Sequence, residues 1–308
     1  MHQMKRYVQW GGRVIVGVCF IWLTSIAFDL SYILSEMKAL FRNGWILLAM
    51  TIAYLSAFLL RAKAWQMYVN ERMPFKHFVD GLFYSLFLNH LLPIKAGDLI
   101  RTGYLASSNQ VSWKSALESV IIMRILDLMI LGFIALAGVF YLGMSISYLF
   151  MIGLIVGGAA LLGLLLLKEK WRKVIFSQAK HAGSIIFSVK GIVLVLLIVV
   201  SWILEAVIVI AVSTQFETTL TFLKSIWVNS FTIAGQVFHF SPGGIGTYES
   251  FMSFGLRAFQ VPIKEAYTIA ILTHGYKFIF SFVIGFYLIL SAPISWTTIK
   301  LWMKRKED

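Results

Sequence analysis

Two stretches decide how this chain folds: NHLLPIKAGDLIR at Asn89–Arg101 and HFSPGGIGTYE at His239–Glu249. Each interrupts an apolar region, Phe78–Ser107 in the first case and Phe222–Leu256 in the second, with proline, glycine and polar side chains. Backbone that leaves the helix inside hydrocarbon has unpaired amide and carbonyl groups, so neither break can face lipid. Each must be buried in protein or line a watery cavity. The reading that satisfies this is a pair of hairpins that enter the membrane and return to the same side.

The rest of the chain agrees with a membrane setting. Its 308 residues are 59% hydrophobic and 13% charged, with a mean hydropathy of +0.81, well outside the range of soluble domains. The same figures exclude disorder, and Cys19, the single cysteine, excludes a fold stapled by intrachain disulfides. Segments near the roughly 20 residues needed to cross a bilayer lie at Val14–Leu34, Gly44–Leu60, Ala116–Leu142, Tyr148–Leu167, Gly191–Val212 and Ala266–Ala292. The first is read as an uncleaved span, because no small-residue cleavage site precedes Asp29. The expected fold is therefore an all-α polytopic membrane protein, one transmembrane domain over residues 1–308, with about six transmembrane helices and two re-entrant broken-helix hairpins. With the N-terminus inside, 20 of the 27 Lys and Arg fall on inner segments, five fall outside and two lie within spans. That asymmetry places both termini in the cytoplasm, along with a basic connection at 168–190. It also explains the net charge of +13 without any nucleic-acid partner.

The breaks belong to an internal repeat. Pro93 and Gly97 match Pro242 and Gly246 at a shift of 149, and SALESVIIMRILDL from Ser115 aligns with EAYTIAILTHGYKF from Glu265 at a shift of 150. Arg124 then falls opposite His274, and Asp127 opposite Lys277. The units run from about 44 to 142 and from 191 to 292, each a span, a hairpin and a span. Three spans separate their starts, an odd number, so the units point in opposite directions, as in transporters built from inverted repeats.

Several side chains at these breaks point to chemistry. Asp98 opens a returning half-helix, where an acid suits the positive helix end, and Arg101 follows one turn later. The two either cap the half-helix as a local pair or, with Asn89, His90 and Lys95 at the same break, meet an anionic group at membrane depth. In the second break Gly243, Gly244 and Gly246 free the backbone for positive φ and for an amide cradle that suits phosphate, or simply for a tight turn; His239 precedes it. Glu249 in an apolar region needs a partner: Arg124, Lys277 or a ligand cation. Arg124 with Asp127, and His274 with Lys277, stand at i and i+3 as candidate buried pairs or ligand contacts. Glu205, alone on the fifth span, either carries a coupling proton or balances Lys277 or His274, while Arg61 and Lys63 read as residues snorkelling to head groups.

Taken together, PIKAGDLIR, RILDL and SPGGIGTYE resemble the flippase-like transmembrane family typified by the membrane region of lysylphosphatidylglycerol synthase, the multiple peptide resistance factor. The resemblance spans nearly the whole chain and is strongest at Pro93, Gly97, Arg101, Pro242, Gly243, Gly246 and Glu249. Asp98 stands where the family has Glu, and Met123 where it has an acid before the Arg of RxxD. The resemblance implies a fold that handles an anionic phospholipid or an isoprenoid-linked phosphate, flipping or releasing it across the cell membrane. The soluble aminoacyl-transfer domain of the synthase has no counterpart in these 308 residues, so lipid aminoacylation by this chain alone is not expected. No cofactor or metal is expected either. Two other readings stand beside translocation: a non-transporting partner of a separate transferase, and an enzyme acting on a lipid-linked phosphate or sugar. The enzyme ranks lower because no metal cluster, activated nucleophile or catalytically spaced acid pair stands out. A homo-oligomer is left open.

Overall fold

The computed structural model describes residues 28–69, 72–92, 97–108, 110–143, 188–217, 220–236 and 241–295, together with the isolated positions 22, 24, 26, 183, 297, 298 and 302. Most of the expected span Val14–Leu34, all of Tyr148–Leu167 and nearly all of the connection 168–190 lie outside the described residues. The remaining four expected spans are helices. They are α2 (Gly44–Val69), α5 (Trp113–Tyr141), α6 (Val189–Ser213) and α9 (Ile263–Ser291), each of 25 to 29 residues. At about 1.5 Å per residue all four exceed the roughly 30 Å of hydrocarbon. Caps fix where two of them start: Ser112 Oγ accepts from the Ser115 amide at 3.1 Å, and Ser188 Oγ from the Gly191 amide at 3.1 Å.

Two boundaries differ from the sequence reading. The first expected span does not run through to Leu34, because Asp29 accepts from the Tyr32 amide at 3.1 Å and starts a new helix, α1 (Leu30–Arg42). Helix α2 continues nine residues past Leu60. Charge alone does not stop a helix, and the run from Arg61 to Val69 contains neither glycine nor proline.

Four shorter helices fill the broken regions: α3 (Phe75–Leu91), α4 (Gly97–Ala106), α7 (Phe222–Gly235) and α8 (Thr247–Arg257), with a single 3-10 turn at Pro242–Gly244 before α8. At 10 to 17 residues they are too short to cross as ordinary spans. Helix α3 packs on α4, and α7 on α8. The order long, short, short, long thus occurs twice along the chain.

The two sets are interlocked. Helix α2 lies along α6, α3 packs against α9, and α7 against α5. Glycines permit both cross-contacts: a Cβ on Gly138 would fall 2.1 Å from the Trp227 ring, and one on Gly285 would fall 2.2 Å from the Phe87 ring. Trp227 Nε1 also donates to the Ala135 carbonyl at 2.9 Å. Far along the chain, the buried Trp302 indole lies against Gly103 of α4, 2.2 Å from where a Cβ would stand. Tyr54, Phe58, Trp65, Ile198 and Val209 are buried between the long helices, whereas Met129, Phe133 and Phe140 on α5 and Val283, Phe286 and Leu290 on α9 are exposed. Large apolar side chains turned outward along helices of spanning length face lipid. The chain is a multi-pass, all-helical membrane protein.

Candidate functional site

Polar residues from both breaks meet in one cavity of about 380 Å³ walled by α2 through α9. Of the residues singled out by sequence, Asn89, His90, Asp98, Arg101, Arg124, Asp127, Glu205, Gly243, His274 and Lys277 line it. Glu249 sits just behind His274. Gly97, Gly244 and Gly246 shape the backbone of the two breaks, and Pro242 lies in the 3-10 turn. Pro93, Lys95 and His239 lie outside the described residues.

At the heart of the cavity Glu205 takes two cations. Arg61 Nη2 lies 2.6 Å from its Oε2, and Lys277 Nζ lies 2.7 Å from its Oε1. Arg61 also donates from Nε to Ser201 Oγ at 3.0 Å and lays its guanidinium 3.7 Å over the Trp202 ring. Lys277 reaches Asn229 Oδ1 at 3.3 Å. The cluster joins α2, α6, α7 and α9. Arg61 is therefore buried and ion-paired rather than snorkelling, because α2 continues past it and carries it inward. Both oxygens of Glu205 are thus taken, and of its two expected roles the contacts match the balancing of Lys277, with Arg61 as a further partner.

The first break presents a second set. Arg124 Nε donates to both oxygens of Asp98, at 3.0 and 3.1 Å, with both side chains partly exposed. Arg101 is buried. Its Nη1 stands 3.9 Å from Asp98 Oδ1, its guanidinium lies 4.6 Å over Trp65, and its Nε has no partner among the described residues. Asp127 accepts from Trp202 Nε1 at 3.2 Å. The i, i+3 pairings expected within α5 and α9 give way to these contacts between helices. Asn89 Oδ1 accepts from the Gly97 amide at 2.9 Å and so closes the first break, while the His90 ring lies 4.5 Å from Phe278.

At the second break Gly243, Gly244 and Gly246 all have positive φ, at 61°, 82° and 86°. Their amides do not form an open cradle: Gly244 N–H donates to the Ser241 carbonyl at 3.1 Å, and Gly246 N–H to Glu249 Oε2 at 2.7 Å. Glu249 pairs with neither Arg124 nor Lys277. Its Oε1 is 2.7 Å from His274 Nδ1, and His274 Nε2 is 3.1 Å from the Gly243 carbonyl oxygen. Tyr248 stacks on the imidazole at 4.1 Å.

Among the described residues the cavity walls thus carry four basic side chains, Arg61, Arg101, Arg124 and Lys277, against three carboxylates, Asp98, Asp127 and Glu205. Next to it, a second cleft of about 370 Å³ between α4 and α5 is lined by Leu99, Leu117, Val120, Ile121 and Ile125. Asp98, Arg124 and Leu128 border both spaces. Sequence reading missed Arg61, Trp202 and Asn229. The signal for Arg61 was present, since a helix without a breaker runs on to Val69. Asn229, one polar side chain among several on an apolar helix, gave none.

Among the described residues no group of His, Cys, Asp and Glu is arranged to hold a metal. No curated protein and no solved structure matches the chain. A family profile does: that of the lysylphosphatidylglycerol synthase TM region covers residues 10–285, a stretch that takes in both breaks and every wall of the cavity. On that match, the chain belongs to the lysylphosphatidylglycerol synthase TM region family.

Proposed function

We propose that this protein is a lipid translocase that carries an anionic head group, of a phospholipid or an isoprenoid-linked phosphate, through the cavity between its two hairpins. The observation that carries this reading is the excess of cations over carboxylates in that cavity, and above all the buried Arg101, whose Nε lacks a partner among the described residues. A buried guanidinium left partly unsatisfied is costly, and a phosphate oxygen meets its geometry and its charge. The volume, near the lower end of small-molecule sites at roughly 300–1,000 Å³, suits a head group and not its tails. The apolar cleft between α4 and α5 gives a tail a path beside the Asp98–Arg124 pair, so an amphiphile straddles the shared wall. Binding centres on the guanidiniums of the first break, since two of the second-break amides are taken within their own turn.

In this reading the two interlocked sets of helices are inverted repeats whose hairpins open to opposite sides of the cell membrane, with both termini cytoplasmic. Rocking one set against the other exposes the head group alternately. Moving a bare phosphate through hydrocarbon is prohibitive, and a basic passage lowers that barrier. The test is transport of fluorescent or radiolabelled anionic phospholipids and polyprenyl phosphates in reconstituted vesicles. Movement no faster than in protein-free vesicles for every anionic lipid rejects the proposal.

A further inference from the structure

We propose that Glu249 and His274 form a proton-binding site, and that the bound proton holds the second break closed. The argument is one of hydrogen-bond chemistry. The Gly243 carbonyl can only accept, so its 3.1 Å contact requires a proton on His274 Nε2. The 2.7 Å contact between Nδ1 and Glu249 Oε1 requires a proton between those atoms as well. A neutral imidazole has one proton and an ionised carboxylate has none. Both contacts therefore stand only when the pair holds one proton more, as imidazolium with carboxylate or as imidazole with carboxylic acid.

The surroundings suit that state. Both side chains are buried, the Gly246 amide donates to the other oxygen of Glu249, and Tyr248 stacks flat on the imidazole. On α9, Lys277 lies one turn away and shares the single carboxylate of Glu205 of α6 with Arg61 of α2, so that cluster keeps one net positive charge, which Glu249 faces from the other side of the imidazole. From α3 comes the His90 ring, 6.3 Å away. Among the described residues Tyr54 of α2 and Tyr267 of α9 are the further titratable groups nearby, and Asp98, Arg101 and Arg124 line the same cavity as His274. Loss of the proton to the cavity, which His274 lines, forces a choice between the two contacts. The charged hydrogen bond to Glu249 is the stronger, so the one to Gly243 breaks. The turn at Pro242–Gly244, with Gly243 at a φ of 61°, then loses its tie to α9. In the translocation reading, on which this last step alone rests, the proton is the coupling ion.

The site is tested without any transport assay. Nitrogen-15 spectra of the histidines in lipid nanodiscs, with His274 assigned by its loss in His274→Gln, and infrared carboxyl bands, with Glu249 assigned by Glu249→Gln, report the proton directly. The proposal expects at pH 7 either a doubly protonated His274 or a protonated Glu249 beside an Nε2–H imidazole. A neutral imidazole beside an ionised Glu249 overturns it. Amide exchange over 241–249, corrected for the intrinsic pH dependence, is expected to quicken at least tenfold as pH rises and the proton leaves. Glu249→Gln keeps both contacts, because its amide donates to Nδ1 while Nε2–H reaches Gly243, so its protection is expected to be independent of pH. A pH dependence equal to wild type overturns the latch. Vesicle transport that ignores an imposed pH gradient overturns only the coupling role.

Discussion

Glu205 binds Arg61 and Lys277 from positions 144 and 72 residues away, and with them fixes three long helices at one point. Glu205→Gln leaves two buried cations to share a neutral amide, and breaking a buried pair of this kind costs roughly 3–5 kcal/mol. Thermal unfolding in detergent is expected to show that loss, and Glu205→Gln with Lys277→Met is expected to recover part of it; an unchanged midpoint in the single variant refutes the clamp. Arg101 acts otherwise. Its one ion pair is long, 3.9 Å to Asp98, so Arg101→Gln is expected to leave the fold intact while weakening binding of an anionic lipid about tenfold or more, the worth of a charge-assisted contact. Equal binding by calorimetry in nanodiscs removes Arg101 from the site. Glu205, Lys277 and Arg101 were legible in sequence as buried charges, Arg61 was read as snorkelling, and the pairings were left open. Charge in the middle of an apolar span announces itself, whereas a charge near a span's expected end, such as Arg61, does not; and the choice of Lys277 over His274 for Glu205, or of His274 over Arg124 for Glu249, depends on which helix faces meet across the bundle, and no local periodicity encodes that.

Helices were easier to read than pairings because their signals are local. Apolar runs of spanning length set α2, α5, α6 and α9, and clustered proline and glycine marked both breaks. Errors came at ends, where Asp29 starts a helix inside a run read as continuous and where α2 passes straight through Arg61. The exchange of contacts between the two sets was hidden for a related reason: Gly285 on an apolar helix reads as filler until Phe87 is seen against it. Gly285→Val drives a side chain into that ring, and overpacking of this sort costs about 1–3 kcal/mol. Phe87→Ala in the same chain is expected to restore stability, and failure of the second substitution to help places the defect elsewhere.

For the molecule as a whole, the inverted arrangement we propose makes a simple topological demand. Under that proposal Gln110, exposed soon after α4, and Ala258, exposed just after α8, belong on opposite faces of the membrane. In a Cys19→Ser background, Ala258→Cys is expected to react with an impermeant thiol reagent on intact cells and Gln110→Cys only after lysis; labelling of both from one side refutes the inversion. One more feature bears on how this molecule is handled. Trp302 presses its indole onto α4 at Gly103, so this one side chain from far along the sequence serves as a bolt across α4. Trp302→Ala draws that bolt and leaves an indole-sized hollow beside Gly103. Affinity handles and fluorescent reporters that replace or crowd Trp302 therefore report on a loosened α4 instead of the native one.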